Sequence, residues 1–144
     1  MQCRTFFLGI KGLIRNKEGK ILLLLKNPEK IKSLGLSEGT EYWDIPGGRI
    51  EEGMTIGKTL RKEIEEETGL TGFENNGLFH ACLSNIGEHL ILFVYECLAS
   101  KDLEVKLSAE NIKYGWFEKE KAAELLKTNF PPDFIEKLDH LCIA

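Results

Sequence analysis

The chain has 144 residues, 42% of them hydrophobic and 29% charged, which is the composition of a globular domain able to bury its own core; residues 1–144 are expected to form a single domain. Nineteen Lys and Arg against 23 Asp and Glu leave a net charge of −4, and this excludes a nucleic-acid coat protein held by phosphate neutralisation. Apolar runs such as Ile21 to Leu25 are too short to span a bilayer, and Lys11 interrupts the Phe6 to Ile10 patch, so a cytoplasmic location without membrane contact is expected.

The predicted elements follow in chain order. Thr5 to Arg15 and Lys20 to Lys26 read as a hairpin around the turn Asn16-Lys17-Glu18-Gly19, and the apolar run in its second strand implies burial on both faces. Asn27 to Thr40 carries one Pro, two Gly and two Ser with no sustained period; a connector this long is commonly a substrate lid or rim. Glu41 to Ile45 reads as a short strand ending in Pro46-Gly47-Gly48. Thr55 suits the N-cap of a helix whose core stripe is Ile56, Leu60 and Ile64 and whose stop is Gly69. Gly77 to Asn85 and His89 to Ala99 are predicted as strands joined by a tight turn at Ile86-Gly87-Glu88, the second central in its sheet. Tyr114 to Phe117 follows as a short strand. Glu120 to Lys127 and Asp133 to Leu141 then read as helices parted by Pro131-Pro132. The fold class expected is α/β, a mixed sheet sandwiched between helices. Cys3, Cys82, Cys97 and Cys142 show no Cys-x-x-Cys spacing and read as reduced, buried thiols rather than a zinc or redox site.

Chemistry concentrates on the helix after the glycines. Glu63, Glu66 and Glu67 stand at i, i+3 and i+4 and so share one face. Like charges at this spacing destabilise a helix by roughly 0.2–0.5 kcal/mol per pair, a cost that a bound divalent cation would offset. An all-oxygen ligand set suits Mg²⁺ or Mn²⁺. Glu-x-x-Glu-Glu by itself is more often a solvated face. Here it follows Pro46-Gly47-Gly48, where missing side chains let the backbone approach another group, and Arg49, Glu51 and Glu52.

Gly48, Glu63, Ile64, Glu66, Glu67, Gly69 and Leu70 fall without a gap on a pattern of Gly, five residues, Glu, seven residues, Arg-Glu, apolar, any, Glu-Glu, any, Gly, apolar. The span from Gly48 to Leu70 thereby resembles the box of the Nudix hydrolases, MutT-like enzymes, and Trp43-Asp44-Ile45-Pro46-Gly47 resembles their usual lead-in. The resemblance extends over nearly the whole chain, with Trp116-Phe117 after a late apolar strand, and implies a Nudix α/β/α sandwich. Two positions depart: Met54 stands where the family has its first Glu, and Lys62 where it has Arg. In the family these two brace the loop against the helix, and Lys62 cannot reproduce a bidentate Arg contact.

The activity implied by the resemblance is Mg²⁺-dependent pyrophosphohydrolysis, with water displacing at a phosphorus of a diphosphate linkage. By the same resemblance, Glu63, Glu66, Glu67 and the Gly48 carbonyl are the metal ligands, and the general base comes from the box helix or from Glu110 in a later loop. Arg49 is the candidate for a substrate phosphate, and Trp43, beside Tyr42, for flanking a base-stacking pocket, although aromatics at a strand end are more often core. His80, His89 and His140 read as strand-end or surface residues. The expected partner is a nucleotide-type small molecule, with no stable nucleic-acid complex; a homodimer is compatible with this reading. Asn129-Phe130-Pro131-Pro132 resembles a segment of MutT-type members that cleave oxidised guanine nucleotides, and the substrate stays open among nucleoside triphosphates, ADP-ribose and nucleotide sugars. A non-catalytic nucleotide sensor and a structural domain without metal are the rival readings.

Overall fold

The computed structural model describes residues 4–100 and 104–142. The fold is α/β: a mixed sheet of seven strands with helices on both faces. Period-two alternation along the first two strands, β1 (Phe7–Arg15) and β2 (Ile21–Lys26), explains both layers. Ile10, Ile14, Leu22 and Leu24 face one side, where they pack with Leu60 and Ile64. Leu13, Ile21, Leu23 and Leu25 face the other and pack with Phe130, Phe134 and Leu138. Strands apolar on both faces have no stable place except between two layers, and each fully buried Leu or Ile contributes roughly 1.5–3 kcal/mol.

The turn between β1 and β2 forms as expected, with Asn16 Oδ1 accepting from Glu18 N and Lys20 N at 3.0 and 2.9 Å. The hairpin does not continue above it. The register with β2 is Arg15 opposite Ile21, whereas β1 runs parallel to β6 (Leu90–Ala99) from Phe7–Leu90 to Arg15–Leu98. β2 pairs instead with β3 (Trp43–Asp44) and β7 (Asn111–Phe117). Two strands needing neighbours on both edges diverge so that each finds its own. β4 (Gly47–Arg49), where only the end of the preceding strand was expected, is a strand antiparallel to β1. β5 (Phe73–Leu83) starts earlier than expected and pairs antiparallel with β6, which sits between β1 and β5 as a central strand.

Helix α1 (Ile56–Thr68) matches its local signals. Thr55 is the N-cap, its side chain accepting from Lys58 N at 3.1 Å, and Gly69 closes the helix in the left-handed region at φ 74°. Leu60 and Ile64 are buried in the sheet's first layer. Helices α2 (Lys119–Leu126) and α3 (Pro132–Asp139) cover the other face. The 27–40 connector contains two 3₁₀ turns, Pro28–Lys30 and Lys32–Leu34. Among the described residues no helix is long and apolar enough to cross a membrane.

The cysteines are not uniformly buried. Cys82 and Cys97 are, and burial first, with Asp133 and Glu96 respectively second, pushes each thiol up to about 12. Cys142 is exposed because it lies past the last turn of α3, which corrects the expectation; Cys3 lies outside the described residues.

Candidate active site

The centre of the site is the corner between β3, β4 and α1. A Cβ on Gly47 would collide with the Ile10 carbonyl oxygen, and one on Gly48 would stand 2.5–2.8 Å from the three atoms of the Glu63 carboxylate. The two glycines therefore do different work. Gly47 lets backbone lie against backbone, and Gly48 leaves the space that Glu63 fills.

Glu67, one turn further along α1, is 3% exposed. Its Oε2 accepts from Gly47 N at 2.7 Å and its Oε1 lies 3.4 Å from Lys26 Nζ. Glu66 is exposed to solvent on the same helix. Burial raises Glu63 above the ordinary carboxylate range, with Glu67, Glu66 and Glu110 adding to the effect and Lys62 opposing it. Burial likewise raises Glu67 despite Lys26, Lys11 and the Gly47 N–H. Lys26 goes the other way from an ordinary buried amine. Burial pulls it down, but Asp44, Glu67 and Glu110 together outweigh burial and hold it above its usual value.

A second group of charges supports the corner from behind. Asp44, 2% exposed, takes the Lys11 ammonium on Oδ2 at 2.8 Å, and on Oδ1 accepts from Ile45 N at 2.8 Å and Asn129 Nδ2 at 3.1 Å. Asn129 Oδ1 in turn accepts from Ser84 Oγ at 3.2 Å. The segment after α2 is thereby bonded to the residue two positions before Pro46. Glu110, exposed at the entry to β7, is fixed through its backbone: its carbonyl accepts from Asn27 N at 2.8 Å. Its charge reaches both Lys26 and Glu63.

A family model described as the NUDIX domain matches residues 6–138. The chain belongs to the Nudix family. Nudix hydrolases act on phosphorus-containing anhydrides. It is 32% identical over 63 residues to Nudix hydrolase 6 of Arabidopsis thaliana, a match covering 44% of this chain and 20% of that protein, so the alignment spans about a fifth of the length of its curated relative. Its fold is similar to that of a MutT protein from Methanosarcina mazei, with a TM-score of 0.69 and 23% identity over 96% of this chain and 94% of the other. It is also similar to an Ap4A hydrolase of C. elegans, with a TM-score of 0.65 and 17% identity over 91% and 92% of the two chains.

Around the Nudix box the structure gathers Gly48, Glu63 and Glu67 at one corner and leaves Glu66 pointing to solvent. Among the described residues, no three His, Cys, Asp or Glu side chains stand close enough to grip an ion between them as placed. Lys62, at the family's Arg position, approaches Glu51 Oε1 at 3.9 Å rather than position 54. The brace between loop and helix has moved to a neighbouring acid, and both ends are solvated, where such pairs contribute about 0–1 kcal/mol. Trp43, expected to border the substrate, is 5% exposed and packs edge-on against Phe117 with ring centroids 5.3 Å apart. It belongs to the core because β3 lies beneath α2. Arg49 pairs with neither Glu51 nor Glu52; its guanidinium sits 4.2 Å over the Phe7 ring.

His80 bonds Asp133 at 2.7 Å and His140 bonds the Glu136 carbonyl at 2.8 Å, in keeping with structural roles at the surface. Sequence reasoning missed Lys11, Lys26, Asp44 and Asn129. The available signal was charge at strand positions otherwise apolar, as in Ile10-Lys11-Gly12, Leu25-Lys26 and Trp43-Asp44-Ile45, since a charge is buried only with a partner.

Gly48→Ala is expected to leave the fold intact and weaken the site. The new Cβ meets the end of a flexible side chain, so Glu63 swings aside at little cost. Thermal unfolding close to wild type, together with Mn²⁺ affinity reduced by about tenfold or more, would be the result; unchanged affinity would show that Glu63 does not depend on Gly48.

Proposed function

We propose that this Nudix protein is a divalent-metal-dependent pyrophosphohydrolase, formed by residues 1–144 as one cytoplasmic domain, that cleaves the diphosphate linkage of a nucleoside di- or triphosphate derivative. The observation carrying it is the Glu63 carboxylate lying in the space that Gly48 leaves open, one turn from Glu67 on the Gly47 amide. The donor set fits a hard cation: it is all oxygen, and Glu63 and Glu67 are raised first by burial, with the carboxylates of Glu67 and Glu66 adding to it at Glu63 and that of Asp44 at Glu67. Glu63, Glu66, Glu67 and the Gly48 carbonyl would hold Mg²⁺ or Mn²⁺, with Glu66 turning in from solvent. When bound, the ion supplies charge neutralisation at the phosphates and a more acidic water.

The chain's own residues do the rest. Gly47 N–H and Lys26 fix the two oxygens of Glu67, Lys26 adds a positive charge beside the phosphates, and Glu110 is the candidate acceptor for the water's proton. Arg49, which has no carboxylate partner among the described residues, is the candidate contact to a substrate phosphate. A screen of canonical and oxidised nucleotides, ADP-ribose, sugar nucleotides and dinucleoside polyphosphates with Mg²⁺ tests the proposal, and no product from any of them would overturn it.

A second reading, a nucleotide sensor without turnover, is favoured by the weak Lys62–Glu51 brace. Calorimetry showing Mg²⁺-dependent nucleotide binding with no product over hours would select it.

The metal reading also carries a pH prediction. Carboxylates must be ionised to bind a cation. Because Glu63 and Glu67 are raised in the fold, their contribution to metal-free stability is present below the ordinary carboxylate value of about 4.3 and is lost as pH rises through their folded values. Mg²⁺ or Mn²⁺ is therefore expected to raise the melting temperature more at about pH 8 than at about pH 5, since a ligand bound only by the native state stabilises it by mass action. Equal shifts at both pH values would place the ion away from these two groups.

A further inference from the structure

The turn that carries Glu110 is tied down from one side. Ser108 to Asn111 form it, with Asn111 N donating to the Ser108 carbonyl at 3.2 Å. Asn27 holds it twice, through its N to the Glu110 carbonyl at 2.8 Å and through its Nδ2 to the Ala109 carbonyl at 3.3 Å. The buried side-chain atoms of the turn are left over: Ser108 Oγ and both Nδ2 and Oδ1 of Asn111 have no hydrogen-bond partner among the described residues.

Asn111 is 5% exposed, and its register shows which way its amide lies. It stands directly opposite Lys26 in the antiparallel pairing of β2 with β7, and residues directly opposite one another project to the same face of a sheet. Lys26 reaches Glu67 on α1 from that face, so the Asn111 amide is on the carboxylate side. Asn129 shows how a buried asparagine is ordinarily satisfied: 3% exposed, it donates to Asp44 and accepts from Ser84. An amide buried without partners destabilises a fold, and an apolar side chain of similar volume in its place does not. One buried water makes about three hydrogen bonds, and three atoms are left over here. The ends of a four-residue turn lie within about 7 Å of each other, close enough for one water to touch both.

We propose that Ser108 and Asn111 hold one water molecule beneath the turn, and that this water positions Glu110 against the carboxylate centre. The inference rests on the reading of Glu110 as acceptor of the attacking water's proton, and it makes Ser108 and Asn111 positioning residues that act through Glu110. Asn27 grips the turn by two neighbouring carbonyls, which leaves it able to tilt about those bonds. A water bonded to both ends of the turn supplies the second point of attachment.

The metal-free protein tests the water site. NOE and ROE cross-peaks of opposite sign are expected between the Asn111 Nδ2 protons and water, the pattern of a water held for longer than the protein takes to tumble. Ser108→Ala is expected to lose them and to speed exchange of the Asn111 backbone amide by about tenfold. Asn111→Leu is expected to lower the urea midpoint. A raised midpoint would mean that the amide had no partner to lose, and it overturns the proposal, as does the absence of cross-peaks in the wild type. With Mg²⁺ and a compound that the wild-type protein turns over, Asn111→Leu and Ser108→Ala are expected to lower kcat by about tenfold with KM within about twofold, while Ser108→Thr, which keeps the hydroxyl, retains the wild-type rate. In a Glu110→Gln background the same two substitutions are expected to change kcat by less than about twofold, because the group they act through is already gone. Additive losses, or wild-type turnover in both variants, overturn the positioning role and leave Glu110 as the acceptor. Undiminished turnover in Glu110→Gln overturns the proposal together with that reading of Glu110, and leaves hydrolysis itself standing. Cross-peaks without turnover of any compound overturn the hydrolase reading and the positioning role, and leave the water site.

Discussion

Glu66→Gln is expected to lower phosphate-releasing turnover by well over about tenfold while leaving thermal stability unchanged, because Glu66 is solvated and the amide is isosteric with the carboxylate. Glu67→Gln is expected to lose activity to a similar degree and stability as well. Its side chain accepts from Gly47 N at 2.7 Å on one oxygen and faces Lys26 Nζ at 3.4 Å on the other. An amide can satisfy one of these and not both: with its oxygen on Gly47 N–H, its NH₂ group meets an ammonium. Leaving a buried charge without its partner costs about 1–3 kcal/mol or more. Single-turnover kinetics beside urea denaturation separate the two variants. Near-native rates in both would remove the carboxylates from the reaction, and an unchanged urea midpoint for Glu67→Gln would remove the Lys26 pairing from the account of the site.

The largest effect on stability belongs to Asp44→Ala. That carboxylate satisfies the Lys11 ammonium, the Ile45 amide and the Asn129 side chain at once, and with Lys11 it forms a pair whose side chains are 3% and 11% exposed. Its removal strands a buried lysine and two donors, at a cost of about 3–5 kcal/mol. Against a total stability of roughly 5–15 kcal/mol for a domain, this is expected to shift the urea midpoint strongly downward with an unchanged denaturant slope. Replacing both charges, as in Lys11→Met with Asp44→Leu, is expected to recover much of the loss, since two apolar side chains leave no unpaired charge. A single variant within about 1 kcal/mol of wild type would show that water reaches Lys11. Because Asp44 stands two residues before Pro46, the same network also positions the glycine corner, and its loss is expected to be felt at Glu63 and Glu67.

How much of this was legible in the chain follows from the range of each interaction. Helix α1 was readable to the residue at both caps, since Thr55, the stripe through Leu60 and Ile64, and Gly69 act over one or two turns. β6 was readable as central because it is apolar on both faces, and it lies between β1 and β5. The hairpin reading held at the Asn16 turn and failed beyond it, because the partner of β1 is a parallel strand more than eighty residues away in the chain. β4 was not legible because Pro46-Gly47-Gly48 reads as the end of the strand before it; only the packing of Gly47 against Ile10 shows that the glycines serve a close strand pairing. Trp43 carried no local sign of being covered by α2, and Arg49 none of lying over Phe7.

The order of residues alone determined the family-type box from Gly48 to Leu70, the acidic face of the box helix and the departures at positions 54 and 62. These are features of spacing, and a helix converts spacing into a shared face without outside help. Tertiary structure decided which of those acids is buried, that Lys26 and Gly47 occupy both oxygens of Glu67, that Asp44 ties Lys11 to Asn129, and that Asn27 holds the turn carrying Glu110. Charge pairing and enclosure depend on distances between segments that meet only when the sheet is assembled, and no local pattern along the chain encodes those distances.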